Sequence, residues 1–222
     1  YPDGPLNCEL ESESYNIANP VGLIDEKNQI DEFILASLKM RDRGVNAKLE
    51  CDMMLIGPTG TGKSYLAEHF THKLHDAGLI NRREPVVIDA VNWNVVEEKL
   101  GETLENIADG VLIVDNAQKL VSENDANNIG SLDSLFSAMS FMDRRPIVIL
   151  VGLPGGMDEF ISKNPSVASK FEYIFHLKEY SAEELAKICE ATLMQKFNEN
   201  LDEPCRLRLT NIFKHLLRNK PS

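Results

Sequence analysis

At 222 residues, 43% of them apolar, the chain is long enough for one large domain, or one domain with a smaller companion, around a sizeable core. Its 35 acidic residues against 23 lysines and arginines leave a net charge of −12, a surface that repels nucleic-acid backbones and anionic lipid, so neither is expected as a main partner. No apolar run approaches the roughly 18 residues that span a bilayer, no signal-peptide pattern opens the chain, and Cys8, Cys51, Cys189 and Cys205 lack C-x-x-C spacing, which together fit a cytoplasmic protein with reduced thiols.

The chain opens on Tyr1 rather than Met, as a piece of a longer protein would. Residues 1–20, with three prolines and the Glu9-Glu11-Glu13 alternation, form an expected lead-in. From Asp25 to about Arg43, apolar Ile30, Phe33, Ile34, Leu35, Leu38 and Met40 predict an amphipathic helix. Cys51 to Ile56 then reads as a short apolar strand.

It runs directly into Gly57-Pro58-Thr59-Gly60-Thr61-Gly62-Lys63-Ser64, which fits G-x-x-x-x-G-K-[ST], the phosphate-binding P-loop. Leu66, Ala67, Phe70 and Leu74 behind it have helical period, so strand, glycine loop and helix come in the order the mechanism needs. Glycines let the loop turn its N–H groups onto a phosphate, and the helix N-terminus adds partial positive charge. Pro58 to Ser64 are thus the expected nucleotide-binding residues, with Lys63 on the β/γ-phosphates and the Ser64 hydroxyl on Mg²⁺.

Gly78 is placed to end that helix, Val86 to Ala90 reads as a second strand, and Val95 to Ile107 as helix around Gly101. Val111-Leu112-Ile113-Val114 predicts a strand buried on both faces, ending on Asp115, the acid expected to hold Mg²⁺. Ser122 to Gly130 is polar enough for a surface loop, and Leu132 to Met142 has helical spacing. Pro146 to Gly152 is another doubly buried strand, followed by an expected Pro154-Gly155-Gly156 turn. Phe171 to Leu177 alternates and ends the β content. Ser181-Ala182-Glu183-Glu184 is a capping box opening a helix to about Phe197, and Leu207 to Leu217 predicts one more. Strands alternating with helices imply α/β architecture: three layers around a central parallel sheet over residues 21–177, then a separate, smaller helical unit over residues 178–222.

Two further patterns are weaker. His69, His72 and His75 step round one helix, which suits a solvated face better than a shared metal. Glu97, Glu98, Glu102 and Glu105 form an acidic helical face.

Several stretches together resemble the AAA+ ATPases, and within them the subgroup of the red-type rubisco activase CbbX and the stage V sporulation protein K. They are Val21-Gly22-Leu23, the P-loop, Gly78-Leu79-Ile80, Leu100-Gly101-Glu102-Thr103, Gly110 to Asp115, Met157 with Phe160, and Asn164-Pro165 ahead of Ser169-Lys170-Phe171. The resemblance spans roughly Val21 to Glu190 and implies ATP or ADP binding with Mg²⁺, a helical lid, a hexameric ring and remodelling of a protein partner. It also marks departures. The family's second strand acid is a glutamate that activates water; here it is Asn116, whose amide positions water but accepts no proton. The family's arginine finger aligns with Lys170, which keeps the charge but not the bidentate fork; Arg144 and Arg145 are the nearby arginines, before a strand start. The polar or aromatic residue at the end of the fourth strand aligns with Leu153, and the pore-loop aromatic with Lys99. Trp93 is either a displaced pore aromatic or a core or interface residue. Catalysis therefore falls to Lys63, Asn116 and Lys170, with weak or partner-dependent hydrolysis expected. The ring the resemblance implies is homo- or hetero-hexameric; the rival readings are a non-catalytic, nucleotide-gated scaffold subunit of a mixed ring, and a small-molecule P-loop kinase.

Overall fold

Met53–Ile56 is a run of four apolar residues, none more than 2% exposed, and it forms β1 at the interior of the sheet. The computed structural model describes residues 23–44, 49, 51–93, 98–120 and 126–219, with backbone alone for 126–131; the lead-in and Val21-Gly22 lie outside these residues. The other strands are β2 (Val86–Asp89), β3 (Val111–Asp115), β4 (Ile147–Gly152) and β5 (Tyr173–His176). All pair in parallel, in the order β2-β3-β4-β1-β5.

The two-residue period of the strands divides their side chains between two helical layers. Met54, Ile56, Leu112, Val114, Val148 and Leu150 pack on one face with Leu132, Leu135, Phe136, Met157 and Phe160. Met53, Leu55, Val111, Ile113, Ile149 and Val151 face the other way, against α1 (Ile24–Asp42) through Ile30 and Ile34, and against α2 (Lys63–Asp76) through Leu66, Ala67, Phe70 and Leu74. This is the three-layer α/β fold that the alternating pattern implied. Trp93, 1% exposed, lies in the first cluster, so it is a core residue and not a pore aromatic.

Three expectations need correction. Pro154-Gly155-Gly156 is not a turn but the first turn of α5 (Pro154–Lys163), since a proline at the opening of a helix lacks only an N–H that has no partner there. Residues 126–130 are not loop: α4 covers Ala126–Ser140, and its polar first turns carry no apolar period to read. Of the helix expected over Val95 to Ile107, residues 94–97 lie outside the described part and α3 covers Leu100–Ile107. The last helix begins at Glu203, capped by Asp202 with Pro204 in its first turn, rather than at Leu207. The short α6 (Pro165–Ala168) leads to β5.

The chain divides into two compact units, one of them residues 23–180. In the other, the described residues form α7 (Ala182–Phe197) and α8 (Glu203–Arg218). Arg206 joins the two helices by donating to Glu190, and Lys214 pairs with Glu183 at 2.7 Å. Ser181 and Glu184 complete the capping box.

Candidate functional site

The P-loop leaves the buried end of β1. Gly57 donates to the Gly152 carbonyl at 3.2 Å, so the loop starts fastened to β4. A Cβ on Gly57 would stand 2.8 Å from both the Leu177 carbonyl oxygen and Thr61 Oγ1, which leaves no room for a side chain. Gly60 and Gly62, at φ 83° and 87°, take the left-handed conformation that glycine adopts without strain. Thr61 is buried and donates to the Pro58 carbonyl at 2.9 Å, so Thr61 and Pro58 shape the loop from inside. Gly62 starts α2 with no side-chain cap, and the first-turn N–H groups of that helix have no intrahelical acceptor.

Lys63 folds back over the loop, its Nζ donating to the Gly57 and Pro58 carbonyls at 2.7 Å each. Partial burial lowers its pKa, and the nearby Asp115 carboxylate opposes that shift. Thr59, Gly60, Lys63 and Ser64 line a cavity of about 460 Å³ that Asp115, Asn116 and Leu153 also line. The fold therefore gathers the loop, the strand acid and its neighbour into one cleft at the C-terminal edge of the sheet, where parallel sheets bind ligands. Ser64 and Asp115 bring to it a hydroxyl and a carboxylate, the oxygen donors that Mg²⁺ prefers.

Asn116 takes a left-handed φ of 54°, which a short polar side chain tolerates. Its backbone N–H donates to Asp115 Oδ1 at 2.8 Å, and its side-chain Nδ2 donates to Asp89 Oδ2 at 2.9 Å. The Val91 N–H bonded to Asp89, and then the Asn116 amide and the Lys119 charge, hold the Asp89 carboxyl below its ordinary pKa. Leu153 is 41% exposed and brings no side-chain polar group, but its N–H donates to Gln118 Oε1 at 3.2 Å.

The remaining expected residues lie elsewhere. Lys170 is exposed, does not line the cavity, and holds its Nζ 5.4 Å from the Phe136 ring centroid. Lys99 is exposed immediately before α3. Arg144 pairs with Asp109, and Arg145 is largely buried against Asp52, so both are tied up in structural ion pairs. Among the described residues no three His, Cys, Asp or Glu side chains gather as a metal site; His69 stacks on Tyr65, and His72 lies 3.6 Å from Glu84.

Sequence reasoning missed Asp89 and Gln118. Asp89 had a signal, an acid closing the apolar run Val86-Val87-Ile88 as Asp115 closes β3. Gln118 had none, because its partners Leu153, Gly152 and Gly156 meet it only in the folded chain.

Residues 53–179 match the family described as the ATPase family associated with various cellular activities (AAA). The ESX-1 secretion system protein EccA1 of Mycobacterium tuberculosis is 31% identical over 183 residues, which is 76% of this chain and 32% of that protein. The ESX-3 secretion system protein EccA3 of Mycobacterium leprae is 27% identical over 198 residues, 84% of this chain and 31% of that one. The chain thus spans about a third of the length of these curated relatives. Among solved structures, the Aeropyrum pernix ORC2 protein in its ADPNP-ADP complexes superposes with a TM-score of 0.60 at 18% identity, over 81% of this chain and 54% of that one. That likeness is one of fold.

Proposed function

Because the chain belongs to the AAA family of ATPases, we propose that residues 21–177 bind ATP or ADP with Mg²⁺ and hydrolyse ATP slowly or only beside a partner subunit. The observation that carries this reading is the single cleft lined by Lys63, Ser64, Asp115 and Asn116. The loop N–H groups and Lys63 take the β- and γ-phosphates. Ser64 and Asp115 hold Mg²⁺, which when bound neutralises charge on the phosphate oxygens. Asn116 accepts a hydrogen bond from the attacking water. The water oxygen joins the γ-phosphorus as the bond to the β–γ bridging oxygen breaks, and the water's proton leaves on the released phosphate. Without a carboxylate to take that proton, hydrolysis forgoes about 10²–10⁴-fold.

Lys170, outside the cleft of its own chain, serves the neighbouring subunit in a hexameric ring, where a lysine recovers only part of the roughly 10³–10⁵-fold an arginine supplies. The motif spacing supports a place beside the red-type rubisco activase and stage V sporulation protein K subgroup. The likeness to secretion-system proteins supports a protein partner as what is remodelled, and we place that work in the cytoplasm. Among the described residues no helix is long and apolar enough to cross a membrane.

Calorimetry with Mg-ADP tests the binding half: Lys63→Ala should remove most of the affinity, and equal affinity in both proteins overturns it. Turnover tests the other half. Asn116→Glu and Lys170→Arg should each raise ATP turnover modestly, and the double variant by more than the product of the two, because they act on one transition state. The alternative, a nucleotide-gated scaffold subunit that never hydrolyses, is favoured by the engagement of the Asn116 amide with Asp89. Binding without turnover in the parent and in the double variant would select it.

A further inference from the structure

Asp89 and Asp115 are register partners, the last residues of the adjacent strands β2 and β3. Asp115 lines the cleft; Asp89 does not, but it bonds to Asn116, which does. The two oxygens of Asp89 have separate tasks. Oδ1 accepts the Val91 N–H at 2.9 Å, at the start of the one-turn 3-10 helix Ala90–Asn92, and Oδ2 accepts the Asn116 amide at 2.9 Å.

An ionised carboxylate only accepts hydrogen bonds, whereas an amide carries donors on one arm and an acceptor on the other. Facing Asp89, Asn116 must therefore turn its NH₂ toward the carboxylate, which leaves its carbonyl oxygen as the arm available to the cleft. We propose that Asp89 is a positioning residue: it sets the polarity of Asn116, so that an acceptor rather than a donor meets the attacking water. The inference rests on the ATPase reading above. Polarity matters because a water that donates a hydrogen to Oδ1 keeps a lone pair for phosphorus. A water that accepts from an NH₂ instead gives up electron density to that donor and is the weaker nucleophile. Among the described residues, charged groups near this pair include Asp115, Lys119 and, lining the same cleft, Lys63.

The test uses the full chain and an ordering that a merely structural role would not produce. In Asp89→Asn, the Val91 N–H still requires an acceptor, so the new amide must point its NH₂ at Asn116. Asn116 then turns over and shows its own NH₂ to the cleft. Asp89→Ala only removes the bias. The near-isosteric Asp89→Asn should therefore lower kcat further than Asp89→Ala does, by about tenfold or more against the parent, with Mg-ADP affinity within about twofold of it. Combining Asp89→Asn with Asn116→Asp reverses the pair, restores the bond and puts a carboxylate in the cleft, so turnover should return to the parent level or exceed it.

A second arm needs no turnover. The ¹⁵N-labelled side-chain amide of Asn116, assigned by its loss in Asn116→Asp, should exchange its hydrogens at least about tenfold more slowly in the parent than in Asp89→Ala. An exchange rate indifferent to Asp89, or a kcat lowered more by alanine than by asparagine, overturns the proposal. A parent that binds Mg-ADP but shows no turnover overturns the ATPase reading, while the exchange arm still decides whether Asp89 orients the amide.

Discussion

Gly155 and Gly156 are adjacent in α5 but meet different surroundings. A Cβ on Gly156 would lie 2.5 Å from Gln118 Cβ and 2.8 Å from its Cγ, the stiff inner part of that side chain. A Cβ on Gly155 would meet nothing within 4 Å. Alanine should therefore act in opposite directions at the two positions. Gly155→Ala gains helix propensity and should stabilise by about 0.5–1 kcal/mol. Gly156→Ala gains the same propensity but must displace Gln118, at about 1–3 kcal/mol, and should be destabilising on balance. It should also free the Leu153 N–H that Gln118 accepts, and so disturb the cleft wall. Urea unfolding of the two variants checks the signs; equal shifts would mean that Gln118 moves aside without cost.

Between elements, a buried polar tie lies at the N-terminal end of the sheet. Asp52 is 4% exposed; its Oδ1 accepts the Val148 N–H and its Oδ2 accepts Arg145, each at 2.7 Å. It thus fastens β1 to β4 from the end opposite the P-loop. Removing one partner of such a pair leaves a buried charge unmatched, so Asp52→Ala should lose about 3–5 kcal/mol in denaturant unfolding.

In the α7–α8 unit the ties are caps and exposed ion pairs. Ser181→Ala removes the cap of α7 and should cost about 0.5–2 kcal/mol of that helix's stability. The Ser181 N–H holds Glu184 below its ordinary carboxyl pKa of 4.5, the Cys205 contacts hold Asp202 below 3.8, and Arg206 holds Glu190 below 4.5. Depressed carboxyl pKa values give stability that is complete above the ordinary values and is lost as pH falls through the depressed ones. Far-UV ellipticity should accordingly decline only in that acid window; a flat signal through it would show that these caps do not govern the helices.

The elements that the sequence disclosed most clearly are those whose packing is uniform along the chain. β1, β3 and β4 are buried on both faces and appear as unbroken apolar runs, while α2 shows one apolar stripe. The P-loop was legible because its geometry needs glycines at fixed spacing. What escaped notice was either polar or non-local. The first turns of α4 carry no period, and Pro154-Gly155-Gly156 has the composition of a turn. The Asp89–Asn116 and Gln118–Leu153 contacts join residues 27 and 35 positions apart.

At the scale of the whole molecule, the proposed ring must bring together copies that each carry a net charge of −12. Self-repulsion of that kind is screened by salt. Light scattering should therefore find larger particles with Mg-ATP at moderate salt than without nucleotide at low salt, and Lys170→Arg should raise turnover only in the assembled form. A monomer under every nucleotide and salt condition would count against the ring.

The strand order has a consequence for synthesis on the ribosome. Among the described strands β1 is made first and is one of the last to be enclosed: Met53 waits for Ile149 on one side and for Tyr173 on the other. At about 5–20 residues per second, the roughly 120 residues separating Met53 from Tyr173 take some 6–24 s to appear. Until β4 appears, 96 residues on at Ile149, the nascent chain carries Met53-Met54-Leu55-Ile56 with both hydrogen-bonding edges unpaired, and one edge stays open until β5 follows. An adhesive strand is thus exposed while residues 57–146 are made, and its protection at that stage rests on transient partners rather than on the finished sheet.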